Sequence, residues 1–550
     1  MRPSWCQTVY SVLSRTGFDM SNSQHPSWLD SLMDPATYRH PCSDIRIVET
    51  HISWVVLTGN WAYKLKKPVN FGFVNFTTLE LRRVACMDEL RLNRRTAPEL
   101  YDSVVPLTDQ PTGPRFGGEG AILEFAVRMR QFDVNDTFDR LQEHKELSDQ
   151  TIETLARSVA DLHQVAAIAG PDSSFGNPET ILKQAQDCIE EISRLDLDSD
   201  LRSQLDQIQR WIREEWSRLK VLFVERRSNG HVRECHGDLH LGNVVLYSGR
   251  PTLFDCLEFN PELRWIDITS DIAFLVMDLH DRLAPQLAWR ALNEWLQQTG
   301  DYKGLPLLKY YLSYRSLVRA KVAALRSQQP DLTPTDSQQQ GVHLQNYLTL
   351  AFSFTQPTRP AMVLMHGLSG SGKSYAAKHL AVSVGAVQVR SDVERKRLFG
   401  FWPPREASNQ SDTDIYSPLA TEETYQRLLT LACGTIAAGY VVVVDAAFLS
   451  RSQRSRFVSI AQALKIPWVI IDCQAPECVL RERITARQLA NSDPSDADNK
   501  VLDIQLNSAE PLNEVEVGHR ITINTTTGDL HSVVESLNRY LSNVPAEATT

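Results

Sequence analysis

The segment HGDLHLGN, residues 236–243, carries two histidines, an aspartate and an asparagine directly before an apolar pair. A further aspartate, Asp255, follows 12 residues after Asn243, a spacing that fits a strand, a turn and a second strand. Two carboxylates and an amide can hold Mg²⁺ on a nucleotide phosphate. We therefore predict that Asn243 and Asp255 bind the metal and that Asp238 is catalytic, accepting the proton of an incoming hydroxyl. The alternative is a plain turn with Asn243 as turn former.

A second phosphate-binding pattern lies farther along the chain. GLSGSGKS, residues 367–374, matches G-x-x-x-x-G-K-S and stands between an apolar strand pattern and a helical one. Glycines allow the backbone to wrap around phosphate oxygens, and the helix N-terminus points free N–H groups at them. We expect Lys373 to reach the β- and γ-phosphates as a catalytic group and Ser374 to hold Mg²⁺. The predicted nucleotide-binding residues of this loop are Gly367, Ser369, Gly370, Ser371, Gly372, Lys373 and Ser374.

Charged residues end the strands that follow this loop. Asp392 ends VRSD, and it is predicted either to accept a proton from a substrate hydroxyl or to hold magnesium through water. The alternative is a simple cap of the next helix, a role that is compatible with the functional one. Asp445 ends YVVVVD and is predicted to be a second Mg²⁺ ligand. Arg395, three residues after Asp392, is predicted to bind substrate or phosphate. Arg483 and Arg487 share one helical face, where they either close over the phosphate or form a solvated surface.

The elements that position these groups change character along the chain. Strand patterns at 45–59 and 61–69 meet at a tight turn, a helix is predicted from Thr78 to Thr96, and two more strands follow. Beyond about residue 135 the pattern is almost purely helical, with strands again at 244–256. From Ala361 onward apolar strands alternate with helices, which predicts a parallel sheet covered on both faces. The predicted domains are an extension (1–39), a bilobal α+β domain (40–355), an α/β P-loop domain (356–540) and a tail (541–550).

Composition limits the classes of function. A chain of 550 residues exceeds one compact core, and a net charge of −10 argues against non-specific nucleic-acid binding. Nine cysteines without a Cys-x-x-Cys pair fit a reducing compartment. Cys235, directly before His236, is interpreted as a small apolar residue rather than a reactive thiol. No apolar stretch reaches the length of a membrane span, and the first 20 residues lack a cleavage-site pattern, so the predicted location is cytoplasmic.

Residues 40–350 resemble the aminoglycoside phosphotransferase family, which shares the protein-kinase fold. LARSVADLHQ, HGDLHLGN, LFDCLEF and RWIDITSDIAFL carry this resemblance. AYK at 62–64 is similar to the A-x-K of the kinase lysine strand, which implies that Lys64 binds nucleotide and that Glu89 is its ion-pair partner. Lys66 lies on the same strand face and stays an alternative to Lys64, as Glu80 does to Glu89. Asp267 and Asp271, four residues apart, are expected to brace the 236–243 loop.

Residues 361–540 resemble the small P-loop kinases of the gluconate kinase, polynucleotide kinase and zeta-toxin type, on GLSGSGKS and the D-x-x-R of Asp392 and Arg395. The combination is similar to bacterial two-domain proteins that join a phosphotransferase-family domain to an ATP-binding one. The resemblance implies ATP and Mg²⁺ as cofactors and a hydroxyl group as acceptor. One departure is the absence of a G-x-G-x-x-G loop, where only LTGNW (57–61) is found.

The leading hypothesis is therefore a kinase with two separate nucleotide sites that phosphorylates hydroxyl groups of small molecules. A second hypothesis makes the N-terminal half a regulatory module that binds a nucleotide or metabolite and controls the P-loop kinase. A third takes the C-terminal half as a polynucleotide 5′-kinase that uses the basic residues Arg390, Arg395, Lys396 and Arg397 on its acceptor. The sequence does not determine the oligomeric state.

Overall fold

The computed structural model describes residues 26–50, 52–70, 74–328, 333–402, 415–490 and 497–543. Within them the chain forms two compact units. The first contains the residues up to Leu283 together with Tyr310–Phe352, and the second contains Ala284–Lys309 together with the residues from Ser353 onward. None of the described helices combines the length and apolar character needed to cross a bilayer.

The first unit begins with a six-stranded antiparallel sheet in the order β1-β2-β3-β6-β4-β5. Its strands are β1 Arg46–Glu49, β2 Ser53–Leu57, β3 Trp61–Lys66, β4 Tyr101–Thr108, β5 Arg115–Phe116 and β6 Ile122–Arg130. The single strand predicted over 45–59 is wrong, because the chain reverses between Glu49 and Ser53 and pairs with itself. The reversal was missed because Thr and Ile, which are common in strands, occupy the connecting segment.

The alternation of side chains along β3 gives the sheet two different faces. Tyr63 and Leu65 pack with Leu32, Tyr38 and other apolar residues of the N-terminal segment on one face. Two short 3₁₀-helices, Asp30–Met33 and Pro35–Thr37, shape that segment, so its described part is a packed layer of the lobe. Ala62 belongs to the core of the other face. Helix α1 (Leu79–Asn93) covers that second face, toward which Lys64 and Lys66 also point.

Helices dominate the rest of the first unit. They are α2 Phe138–Glu143, α3 Asp149–Val165, α4 Pro178–Ser193, α5 Ser199–Ser228, α6 Pro261–Arg264 and α7 Ile268–Asp281. Two short strand pairs lie among them: the antiparallel hairpin β8 Val244–Tyr247 and β9 Arg250–Leu253, and the pair β7 Val232–Glu234 with β10 Trp265–Asp267. The hairpin was predicted. The β7–β10 pair was missed because each strand has three residues and carries charged groups, which leaves no alternating pattern to detect.

The second unit contains a parallel sheet in the order β12-β13-β11-β14-β15. Its strands are β11 Met362–His366, β12 Val387–Arg390, β13 Val442–Asp445, β14 Trp468–Gln474 and β15 Arg520–Asn524. Each lies within an apolar run predicted to be a strand, and the buried residues of β11, β13 and β14 form the core with neighbouring helices. The predicted fold class, a kinase-like α+β domain followed by an α/β P-loop domain, is confirmed.

The remaining helices are divided between the two units. Helix α8 is Pro285–Thr299; α9 (Leu305–Ser327) and α10 (Pro334–Thr355) have most of their length in the first unit. The remaining helices are α11 Lys373–Val384, α12 Ser391–Leu398, α13 Pro418–Ala437, α14 Arg451–Ala463, α15 Glu477–Ala490, α16 Asn499–Ser508, α17 Glu514–Gly518 and α18 Leu530–Asn543. The Asn293 side chain on α8 donates to the Ala386 carbonyl (2.9 Å) and accepts from the Gln388 amide (2.7 Å), so it pairs with the edge strand β12.

Candidate functional site

A cluster of buried charges joins the sheet of the first unit to helix α1 and to the segment after β9. The Lys64 ammonium lies 3.0 Å from Glu89 Oε1 and also forms an ion pair with Asp255. Glu89 is fully buried, whereas 41% of the Asp255 side chain is exposed. Although burial opposes ionisation, the two neighbouring lysines, Lys64 and Lys66, lower the pKa of Glu89 to about 2. Lys64 thus stands between a buried carboxylate and a solvent-facing one.

Lys66 completes the cluster on its closed side. Its ammonium lies 2.5 Å from Glu89 Oε2 and pairs with Glu258, and neither Lys66 nor Glu89 is exposed. The sequence left Lys64 and Lys66 as alternatives, and the structure brings both to Glu89 in different surroundings. Glu80, the alternative to Glu89, lies 66% exposed and pairs with Arg83, outside the cluster.

The 236–243 loop orients its aspartate by hydrogen bonds. The Asn243 amide donates to the Asp238 backbone carbonyl (2.9 Å) and to its carboxylate (3.0 Å). His240 Nδ1 accepts from the Gly242 amide, so Nε2 carries the proton and faces the Asp238 carboxylate at 3.3 Å. Burial opposes ionisation of Asp238, but His240 and the nearby Arg319 and His236 outweigh it and hold the pKa of this carboxyl well below its usual range. Asp238 is therefore ionised and fixed in orientation at neutral pH.

Two buried aspartates on α7 brace this loop. Asp271 accepts from the backbone amides of His236 (3.1 Å) and Gly237 (2.9 Å) and from His163 Nε2 (3.0 Å). Asp278, two turns later, accepts from the Leu241 amide at 2.9 Å. The bracing role predicted for Asp271 is confirmed. Asp267 instead forms an ion pair with Arg226 and caps α7, and Asp278 was missed although its seven-residue spacing from Asp271 places both on one helical face.

Asp255 is held near the loop in an unusual backbone conformation. Its φ is +58°, a left-handed value that few non-glycine residues adopt, although aspartate does so more readily than most. Its amide donates to the Tyr101 hydroxyl at 3.1 Å. The preceding residue, Phe254, donates its amide to the Asn243 carbonyl (3.0 Å), and its carbonyl lies 2.9 Å from His236 Nε2. These bonds join the Asp255 segment directly to the 236–243 loop.

The LTGNW segment contains the turn between β2 and β3. The Thr58 and Gly59 amides both donate to Gln131 Oε1, at 3.1 and 3.0 Å. These two amides are therefore used within the lobe.

The P-loop of the second unit follows β11 and begins α11. Gly367, Gly370 and Gly372 have φ values of +136°, +78° and +82°, which only glycine adopts readily. A Cβ on Gly370 would lie 2.6 Å from the Leu480 carbonyl oxygen, so the neighbouring backbone also requires glycine there. Lys373 donates to the Leu368 carbonyl at 2.7 Å, and the Ser374 hydroxyl donates to Asp445 Oδ1 at 3.2 Å. Burial lowers the pKa of Lys373, which Asp445 and Asp392 partly offset.

The predicted arginines of this site have contacts of different kinds. Arg483 donates to the Gly370 carbonyl (3.3 Å) and to Thr525, so it braces the P-loop. Arg487 donates to the Ala497 carbonyl at 2.6 Å and lies close enough to Lys373 to affect its pKa. Arg395 is buried and donates to the Ile415 carbonyl at 2.7 Å. Arg395 therefore anchors Ile415, which begins the described segment that precedes α13.

Both sites offer oxygen ligands of the kind Mg²⁺ prefers. In the first unit these are the exposed carboxylate of Asp255 and the side-chain oxygen of Asn243. In the second they are the Ser374 hydroxyl and the Asp445 carboxylate, which already touch each other. Burial raises the pKa of Asp445, although Arg390, 3.6 Å away, opposes the shift. The residues present fit Mg²⁺ bound with a nucleotide.

Two family models match the chain. Residues 85–307 match the model described as "Phosphotransferase enzyme family", and residues 362–512 match the model described as "AAA domain". The chain thus contains one region that matches a phosphotransferase family and a second region that carries the P-loop, and the enzyme class that both matches support is a kinase. The resemblance predicted from the sequence is confirmed, and kinase activity on small molecules is the function that the two matches support.

One curated relative is similar to most of this chain, and two solved structures are each similar to a part of it. An uncharacterized protein of Mycobacterium tuberculosis H37Rv, Rv2004c, is 29% identical over 486 residues, 88% of this chain and 93% of that protein. The ethanolamine kinase of Plasmodium vivax covers 57% of this chain and 84% of its own, with 12% identity and a TM-score of 0.36. A gluconokinase from Sinorhizobium meliloti 1021 covers 34% of this chain and 93% of its own, with 20% identity and a TM-score of 0.24.

Proposed function

We propose that this protein is a kinase with two separate ATP sites, each of which transfers a phosphoryl group to a hydroxyl group of a small molecule. The observation that carries the proposal is that each unit holds a full set of groups for phosphoryl transfer. The first unit has an oriented aspartate, an amide and a carboxylate that could hold a metal, and a lysine. The second has a P-loop lysine, a hydroxyl and a carboxylate that could hold a metal, and Asp392.

In the first site Asp238 orients the acceptor hydroxyl and receives its proton. Asn243 and Asp255 hold Mg²⁺. Lys64 leaves its ion pair with Asp255 and contacts the nucleotide phosphates instead. Because phosphoryl transfer needs positioning and charge stabilisation more than covalent chemistry, a rigid loop braced by Asp271 suits the task.

In the second site Lys373 leaves the Leu368 carbonyl for the β- and γ-phosphates, while Ser374 and Asp445 hold Mg²⁺. Asp392, at the start of α12, is the proposed acceptor of the substrate proton. Gly367, Ser369, Ser371 and Gly372 are proposed to complete the backbone cradle, with Arg483 and Arg487 beside it. For this the Ser369 amide would exchange Gln505 Oε1, to which it donates at 2.8 Å, for a phosphate oxygen. The eight described cysteines are free thiols, which supports a reducing compartment such as the cytoplasm.

The polynucleotide 5′-kinase alternative has less support. Of its basic residues, Arg397 pairs with Glu394 and donates to the Gln297 carbonyl, Arg395 is buried, and Arg390 lies 3.6 Å from Asp445. These three arginines are engaged within the unit and do not form an exposed basic surface of the kind that nucleic-acid backbones require.

The regulatory alternative for the first unit predicts nucleotide binding without product.

The test is phosphorylation of a bacterial metabolite extract by the full chain with Mg·ATP, followed by mass spectrometry for gains of about 80 Da. We expect Asp238→Asn to abolish one set of products and Lys373→Ala another. The matched controls are Asp206→Asn and Lys500→Ala, which change exposed residues and leave both sets. Products that depend on Lys373 alone would support the regulatory alternative, and loss of every product from either variant would contradict two separate sites.

A further inference from the structure

Two lysines of β3 share one carboxylate, and their surroundings differ. Lys64 and Lys66 contact different oxygens of Glu89, at 3.0 and 2.5 Å. Lys64 has its second partner, Asp255, on the exposed side of the cluster, and Lys66 has Glu258 on the closed side. The five groups form one continuous chain of ion pairs from Asp255 to Glu258.

Lys66 cannot reach a nucleotide without leaving two carboxylates. None of its side chain is exposed, and its ammonium also lies 5.6 Å from the centre of the buried Phe76 ring. Lys64 is 12% exposed, and its other partner, Asp255, is the most exposed member of the cluster. The two lysines therefore differ in solvent access. Lys64 can exchange partners with a ligand, whereas Lys66 is enclosed.

The charges explain why an enclosed lysine is useful. Two lysines and three carboxylates give the cluster a formal charge of −1. If Lys64 turned toward phosphates, its hold on the buried Glu89 would weaken, and an unpaired buried carboxylate is strongly unfavourable. Lys66 lies 2.5 Å from Glu89 and would keep that carboxylate paired.

The same pair fixes the segment that carries Asp255. Glu258 and Asp255 are three residues apart, and Glu258 is 4% exposed. Lys66 therefore links Glu89 on α1 to the Asp255 segment through Glu258, independently of Lys64.

We propose that Lys64 alone meets the nucleotide and that Lys66 and Glu258 are positioning residues that hold Glu89 and the Asp255 segment in place while Lys64 changes partners. This inference rests on the proposed nucleotide site of the first unit. It assigns Lys66 and Glu258 a role that the sequence patterns did not give them.

The test uses the full chain with Lys373→Ala, so that the P-loop lysine cannot react. The probe is 5′-(4-fluorosulfonylbenzoyl)adenosine, a sulfonyl fluoride shaped like ATP. A lysine amine attacks the sulfur, an S–N bond forms, the S–F bond breaks, fluoride leaves and the amine proton goes to solvent. Peptide mass spectrometry locates the label. We expect labelling of Lys64, blocked by Mg·ATP, and none of Lys66.

The positioning role is tested by Lys66→Met combined with Glu258→Gln, which removes both charges of the pair and leaves neither one buried alone. Lys64 is then the sole cation on Glu89, and we expect its labelling rate and the affinity for Mg·ATP to fall about tenfold. The matched control removes the exposed pair Lys220 and Glu179, 2.8 Å apart, by Lys220→Met with Glu179→Gln, and leaves both values unchanged. Glu258→Asp, which keeps the charge, should give a smaller loss than the double variant.

The outcomes are distinguishable. A label on Lys66, or unchanged labelling of Lys64 in the Lys66/Glu258 double variant, overturns the inference. A lower thermal midpoint with unchanged labelling shows a role in stability alone and also overturns it. If neither lysine is labelled and Mg·ATP does not bind the Lys373→Ala protein, the proposed nucleotide site itself fails. If the double variant does not fold, the comparison of Glu258→Asp with the parent protein decides.

Discussion

At the scale of single residues, the first site is defined by how carboxylates are held. Glu89 and Asp271 are both buried, and the pKa of each is lowered to about 2, by two lysines for Glu89 and chiefly by His163 for Asp271, against the opposing effect of burial. Both are therefore charged in the folded protein under all ordinary conditions. Their negative charges are therefore a constant part of the folded structure and do not change with pH near neutrality.

This gives a prediction for acid stability. The pKa of Glu89 is lowered in the folded state from its ordinary 4.5, so its stabilising contribution is present above pH 4.5 and is lost as the pH falls toward about 2. We expect Glu89→Gln to lower the thermal midpoint at pH 7 and the difference from wild type to shrink below pH 4. The measurement is the midpoint of both proteins from pH 7 to pH 2.5.

Glu80→Gln is the matched control for that measurement, because Glu80 lies on the same helix but is 66% exposed. It should differ from wild type by little at any pH. A Glu89→Gln difference that stays constant down to pH 2.5 would contradict the account of this cluster.

The sequence located several members of this cluster but not its organisation. The kinase-like motifs pointed to Lys64, Glu89, Asp238, Asn243 and Asp255, and the structure brings Lys64, Glu89 and Asp255 into direct contact. The sequence could not decide between Lys64 and Lys66, because both lie on the same face of one strand and differ only in the residues that pack around them. Glu258 had no signal either, because its partner lies 192 residues away in the chain.

At the scale of elements, the P-loop depends on backbone shape. Gly370 combines a φ of +78° with a backbone carbonyl 2.6 Å from the position of an added Cβ. We expect Gly370→Ala to weaken Mg·ATP binding at the second site by about five- to 150-fold, because strain of ~1–3 kcal/mol must be added or the loop must shift. The measurement is isothermal titration calorimetry with Mg·ATP. The full chain carries Lys64→Met in addition, so that only the second site binds.

Gly434→Ala is the control for that change. Gly434 lies in α13 with no atom near an added Cβ, so alanine should leave binding unchanged and raise helix stability by up to about 1 kcal/mol. Equal affinities of the Gly370→Ala and Gly434→Ala proteins would show that the loop does not need its left-handed glycine.

Strong periodicity made the elements of the second unit predictable. Apolar runs such as VVVV and VII indicate buried parallel strands, and each predicted strand was found. Weak or misleading patterns failed in the first unit, at the reversal between β1 and β2 and at the three-residue strands β7 and β10. The grouping of Ala284–Lys309 with the second unit also had no local signal, because it depends on long-range contacts such as that of Asn293 with β12.

At the scale of the whole molecule, the proposal places two different modes of phosphate binding in one chain. The first would use a lysine on a strand and a braced loop, and the second would use backbone amides at the start of a helix. Each set lies within its own unit, so the proposal is that they act as separate sites with separate acceptors.

The most direct test of this central claim is the number of Mg·ATP molecules bound per chain, measured by isothermal titration calorimetry. The account predicts two for the wild-type protein, one for Lys64→Met, one for Lys373→Ala and none for the combined variant, with all four folded by circular dichroism. A wild-type stoichiometry of one that Lys64→Met leaves unchanged would contradict the claim and leave the P-loop as the single nucleotide site.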